Sequence, residues 1–134
     1  MKTFDCHFLF FFRVQTHGKD EEATIDNIDR MIDDKVVQGI EYNMHTGIGY
    51  DIEDIKEVEN GWWELLLKFS GFYMIDAKDK QEAKEITNNI LDDKLTSVYQ
   101  LLEIEADKRS RFELKELTDF YVDDVEEFVG CLYI

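Results

Sequence analysis

The chain has 134 residues, with 31 Asp and Glu against 15 Lys and Arg and a formal net charge of −16. That balance excludes binding nucleic acid through a basic patch and argues against docking on anionic membranes. Disorder is excluded too, because 44% of the residues are apolar and 13% aromatic, enough for a core.

The acidity is spread along the chain, since residues 1–61 and 62–134 each carry −8. With no proline and only seven glycines, the length predicts one compact domain over 1–134. The apolar run Phe8–Phe12 stops at Arg13 and is too short for a signal-peptide core or a membrane span. Cys6 and Cys131 stand at opposite ends of the sequence and read as buried free thiols, not a disulfide framework. The expected location is the cytoplasm.

Phe4, Cys6, Phe8, Phe10, Phe12 and Val14 alternate on one face of a predicted first strand. Leu9 and Phe11 fall on the other, which suggests a central strand covered on both sides. Ile25, Ile28 and Ile32 mark a helix behind the acidic start Asp20-Glu21-Glu22, which suits the positive helix end. A strand is expected near 36–45. The segment 51–59 is ambiguous. Asn60-Gly61 signals a hairpin, whereas Ile52, Ile55 and Val58 have helical spacing.

Trp62 to Phe69 reads as a strand that continues through Phe72–Ile75 past a bulge or turn at Ser70-Gly71. Trp62 and Trp63 then point to opposite faces. Asp79-Lys80-Gln81-Glu82 has the spacing of a capping box, ahead of the apolar stripe Ala83, Ile86, Ile90 and Leu91. Strands are expected near 97–106 and over 112–117. Val122, Val125, Phe128 and Val129 repeat the helical spacing of 51–59.

Two echoes organise this order. Met31-Ile32-Asp33-Asp34-Lys35 recurs as Ile90-Leu91-Asp92-Asp93-Lys94, and Ile52–Val58 recurs as Val122–Phe128. We read an internal duplication with units 1–61 and 62–134. It favours short helices at 51–59 and 122–129, ended by Gly61 and Gly130. The predicted fold is α+β, an antiparallel sheet with helices packed on one face, ferredoxin-like or related, from two β-α-β-type units.

The repeated acidic segments are the candidate site. Turning their apolar residues inward leaves Glu53, Asp54 and Glu57 outward in the first copy, and Asp123, Asp124, Glu126 and Glu127 in the second, with Asp119 just before it. On a helix such carboxylates stand about 5–6 Å apart. From Glu116 to Ile134 there are six acids and no base, so this stretch has no local counter-charge. The competing reading is an ordinary solvated face.

Other chemistry is weakly signalled. No calcium loop, His pair at ligand spacing, Gly-x-Ser-x-Gly or phosphate-binding glycine loop is present. No metal or cofactor is therefore expected. His7 faces away from Cys6 on the same strand, so the two cannot chelate together. Asp76-Ala77-Lys78, at a strand end, resembles the Asp/Glu-x-Lys half of the restriction-endonuclease-like nucleases. There the resemblance implies a carboxylate on Mg²⁺ and a lysine orienting water. Glu113-Leu114-Lys115 is a second such tripeptide. The stretch Ala77–Ala83 is similar to segments of small phage and mobile-element proteins and names no family.

The resulting expectation is a non-enzymatic acidic inhibitor or adaptor that occupies the basic nucleic-acid-binding surface of a target protein. Phage-encoded anti-CRISPR and anti-restriction proteins of the nucleic-acid-mimic type work in this way, and for such a protein the location is the host cytoplasm. Its partner is a basic protein, a nucleic-acid-binding protein or nuclease, with no direct nucleic acid or membrane contact. Two alternatives stand beside it. One is a homodimer or immunity-type interaction module joined through Leu9, Phe11 and a tryptophan, and the other is a metal-dependent nuclease using Asp76 and Lys78.

Overall fold

A computed structural model describes residues 1–42, 46–108, 112–117 and 120–128. Over these residues the chain is α+β, with a five-stranded antiparallel sheet and two α-helices. Its elements are β1 (Lys2–His17), α1 (Glu21–Ile32), β2 (Gly47–Glu59), β3 (Trp62–Ala77), α2 (Lys80–Lys108), β4 (Phe112–Leu117) and β5 (Tyr121–Glu127). The sheet order is β2-β3-β1-β4, and β5 also pairs with β1. β4 runs beside residues 12–16 of β1, and β5 beside residues 4–9. The two short strands are thus successive segments of one sheet edge, and β2 is the other edge.

The alternation expected of β1 is present over its whole length. Phe4, Cys6, Phe8, Phe10, Phe12 and Val14 are all buried, and so is Thr16. They pack with Leu65, Leu67, Phe69, Tyr73 and Ile75 of β3 beneath both helices. Phe10 stacks on Phe69 at 4.9 Å and 6°, and meets Phe12 edge-on at 5.8 Å. Burying each phenylalanine contributes roughly 1.5–3 kcal/mol. Leu9 and Phe11 lie on the helix-free face, half-buried by neighbouring side chains. Among the described residues, cover on that side comes from within the sheet and no helix packs there.

Both helices start as the sequence indicates. The Asp20 carboxylate accepts from the Ala23 amide at 2.8 Å, and Asp79 accepts from the Glu82 amide at 2.9 Å. Glu82 reaches back to the Lys78 amide at 3.2 Å, one residue before the cap. α1 runs on into a π-helical turn, Asp33–Val37, and a 3₁₀ turn, Gln38–Ile40. Burial of Ile28, Ile32, Val36 and Ile40 at four-residue intervals drives that continuation. The strand expected near 36–45 is thus helical as far as residue 40, and 43–45 lie outside the described residues.

The strand expected at 97–106 is also helix. Leu91, Leu95, Val98 and Leu102 are buried at spacings of four, three and four, so the stripe begun at Ala83 simply continues to the end of α2. Though 29 residues long, α2 is too charged to span a bilayer. Among the described residues no helix is long and apolar enough to cross a membrane.

The acidic segments, expected as helices at 51–59 and 122–129, are edge strands as far as Glu59 and Glu127, and Val129 and Gly130 lie outside the described residues. In β2 the register slips between Ile52 and Asp54, so Glu53 is an extra residue, and Ile52 and Ile55 both still face the core. In β5 Asp123 is extra, and Val122 and Val125 face the core. A β-bulge turns the two-residue spacing of a strand into three and so imitates helical periodicity. β2 slips again between Glu57 and Glu59, and β4 slips at Lys115, whereas β3 pairs with β1 straight through Ser70-Gly71, where a bulge or turn was expected.

Asn60-Gly61 forms the β2–β3 hairpin. Gly61 has φ +80°, and among the described residues no other residue type takes positive φ. The turn is therefore not type I′, which needs positive φ at both central residues. The Glu57 carboxylate accepts from the Gly61 amide at 3.0 Å, and the Gly61 carbonyl accepts from the Gly18 amide at 3.0 Å. Trp63 donates its indole N–H to the Gly18 carbonyl at 2.8 Å, joining this end of the sheet to the start of α1. Cys6 is a buried free thiol whose proton affinity burial raises. Cys131 lies outside the described residues.

Candidate interaction surface on the helix-free face

Antiparallel register decides which side chains meet on the face that, among the described residues, no helix covers. Across β1 and β3 it pairs Asp5 with Met74, His7 with Phe72, Leu9 with Ser70, Phe11 with Lys68 and Arg13 with Leu66. The centre is thus apolar, with Leu9, Phe11, Leu66, Phe72 and Met74, all half-buried. Trp62 shares the face but stands opposite His17 at its far end. Six residues separate that position from Phe11, about 20 Å at strand rise, with the Arg13 and Glu64 charges between.

One end of the face is neutralised. Glu64 accepts from Arg13 and Gln15 at 3.2 Å each and lies 3.6 Å from the Lys56 ammonium. Desolvation opposes its charge. The Gln15 and Arg13 hydrogen bonds and the charges of Arg13 and Lys56 together outweigh it and hold the carboxyl below the usual glutamate range. Nearby, Lys68 lies 3.5 Å from Glu53, and Lys115 lies 3.0 Å from Glu113.

The other end is acidic. Register sets Asp5 directly opposite Glu126 and His7 opposite Asp124. Like charges facing each other across a strand pair destabilise it. Among the described residues, Asp123, Asp124 and Glu126 form no ion pair. A shallow open groove of about 490 Å³ leads from His7 and Asp123 to Asp51 and Lys68. Small residues make it. Gly47 carries no side chain, and an added Cβ there would lie 2.4 Å from the Phe72 ring.

The two acidic rows expected as one kind of surface lie on opposite edges of the sheet. Glu53, Asp54 and Glu57 are on β2, and Asp123, Asp124, Glu126 and Glu127 on β5, with β3 and β1 between. Three strand spacings put the rows about 14 Å apart. They also differ in what they already hold. Glu53 pairs with Lys68, Glu57 caps the hairpin turn, and Glu127 pairs with Lys2 at 3.1 Å. Asp54, Asp123, Asp124 and Glu126 remain turned to solvent. Asp119 lies outside the described residues.

Asp5 and His7 belong to the acidic end and were not among the expected site residues. Their signal was the strict alternation of β1, which sends residues 5 and 7 away from Cys6. Of the nuclease-like tripeptide, Asp76 accepts from the Thr3 hydroxyl at 2.6 Å and Lys78 lies 3.9 Å from Glu82. Among the described residues the cluster able to hold a metal does not include Asp76. No family model, curated protein or solved structure gives a significant match to this chain.

Proposed function

We propose that the chain is an acidic binding protein whose β5 edge and neighbouring helix-free face occupy a basic, nucleic-acid-binding surface of another protein. The observation that supports it best is the cluster Asp123, Asp124 and Glu126, exposed, without ion pairs among the described residues, and opposed by a further acid, Asp5. A rigid strand spaces same-face carboxylates by about 6.6–6.8 Å. Leaving this repulsion in place destabilises the free protein and favours any complex that supplies cations. We further read the strand order β2-β3-β1-β4, with a helix after β1 and after β3, as the ferredoxin-like arrangement of two duplicated β-α-β units. In support, each acidic echo falls on an edge strand with a bulge at the corresponding residue, Glu53 and Asp123, and β2 carries a second slip between Glu57 and Glu59.

The test is a competition. The immobilised chain captures its partner, and the captured protein is assayed for oligonucleotide binding with the free chain as competitor. The chain should displace the oligonucleotide, more weakly as salt rises. Asp123→Asn, Asp124→Asn and Glu126→Gln together should weaken binding by several kcal/mol, since truncating one buried member of a charge pair costs about 2–5 kcal/mol. Equal binding by parent and triple variant at low salt would refute the reading, as would a partner that binds no nucleic acid.

The apolar centre around Leu9, Phe11 and Phe72 favours a second reading, a homodimer joined face to face across the helix-free sheet. Light scattering decides it, because a strict monomer at high micromolar concentration removes it.

A further inference from the structure

The acidic end of the helix-free face holds an imidazole as well as carboxylates. His7, Asp124 and Glu126 each offer one ligand atom, and these atoms all lie within 4.8 Å of one another. Asp124 and Glu126 are two positions apart on one strand, so they share a face, and His7 faces them from β1.

The bulge in β5 creates this arrangement. Val122 pairs with Phe8. In an unbroken register Asp123 would then meet His7, and Asp124 would meet Cys6 with its carboxylate turned into the core. The extra residue instead sets Asp124 opposite His7 and Val125 opposite Cys6. Bulges of this kind re-aim side chains beside functional sites. The imidazole is itself positioned, half-buried with its ring 5.6 Å from that of Phe72.

We propose that His7, Asp124 and Glu126 bind a divalent first-row transition ion of the Zn²⁺ class. One imidazole nitrogen and two carboxylate oxygens are a ligand set that Zn²⁺ accepts at about 2.0–2.2 Å, with a fourth position left for water or a partner group. The nitrogen ligand disfavours Mg²⁺ and Ca²⁺, which prefer oxygen throughout. Tetrahedral binding brings ligand atoms to about 3.4 Å apart, a closure that rotamer changes of the exposed Asp124 and Glu126 supply. A dication there also relieves the opposition of Asp5 and Glu126.

Two of these residues also belong to the proposed partner surface, so the test uses the isolated full chain and reads metal alone. Calorimetric titration with Zn²⁺ should show one site, accompanied by a selective shift of the His7 ring resonances among the three histidines. Mg²⁺ at the same concentration should give neither. His7→Gln and Asp124→Asn should each lower Zn²⁺ affinity at least about tenfold, and Asp54→Asn on the opposite edge should leave it unchanged. Circular dichroism of the variants establishes that each is folded. Zn²⁺ binding that persists unchanged in His7→Gln, or no His7 shift at millimolar Zn²⁺, would overturn the site.

Discussion

Replacing Phe10 and Phe11 separately by alanine tests the face assignment on which every surface described above depends. Phe10 is fully buried, stacked on Phe69 and edge-on to Phe12, and the neighbouring core rings leave little freedom to collapse into the space it vacates. Phe10→Ala should therefore cost about 3–5 kcal/mol, the range for buried aromatic truncations. That is a large share of the about 5–15 kcal/mol that holds a domain of this kind together. Phe11, one position along, is half-buried on the helix-free face, and its truncation should cost about 1–2 kcal/mol. Urea denaturation followed by Trp62 and Trp63 fluorescence measures both. With a slope of about 1–3 kcal/mol per molar, the Phe10 midpoint should fall by roughly 2 M and the Phe11 midpoint by well under half of that. A Phe11 loss equal to or greater than the Phe10 loss would mean that the sheet presents its other face to the helices, and the surface argument would collapse with it.

Gly61→Ala should lose about 1–2 kcal/mol in the same assay, because φ +80° is unfavourable for an L side chain and the new Cβ would stand 3.1 Å from His17; an unchanged midpoint would mean that the hairpin is not held there. Glu64→Gln probes acid stability. The Glu64 carboxyl is held low in the folded state, so its contribution is fully present above the unfolded value of about 4.3 and disappears as pH falls through the lower folded value. The parent should exceed the variant in melting temperature at pH 7 and converge on it towards pH 3, and a difference independent of pH would refute the charge argument.

Legibility in the sequence followed the regularity of each pattern. β1 was readable because its alternation never breaks, and both helix starts were readable from local signals, the acidic first turn at Asp20, which the structure shows to be a cap, and the capping box at Asp79. The acidic strands were misread for a specific reason. An extra residue, Glu53 in β2 and Asp123 in β5, moved the next core residue from two positions away to three, and β2 slips a second time at Val58. The Asn60-Gly61 turn pointed to the strand reading, and the duplicated spacing outweighed it. Residues 97–106 failed differently, since nothing in Ser97–Ala106 marks a break and the buried stripe of α2 runs on through it. Of the candidate site, the residue types were visible in the sequence. Their separation onto two sheet edges was not, because it depends on the pairing of strands far apart along the chain.

The pairing order of β1 has a consequence for biosynthesis. On one side β1 waits for residues 62–77, and on the other for residues 112–117 and 121–127. Phe4 meets Glu127 only after the whole intervening chain has been translated, a delay on the order of ten seconds at ribosomal rates of about 5–20 residues per second. Throughout that interval Phe8–Phe12 is a β-prone, uncharged segment with both of its hydrogen-bonding edges unsatisfied, the kind of stretch that pairs with other chains. α1 follows β1 directly and can shield one face of it early. The edges stay open until β3 and then β4 and β5 arrive. The protein's vulnerable moment is thus set by topology, and its acidity, spread over both halves of the chain, keeps neighbouring unfinished copies apart while it lasts.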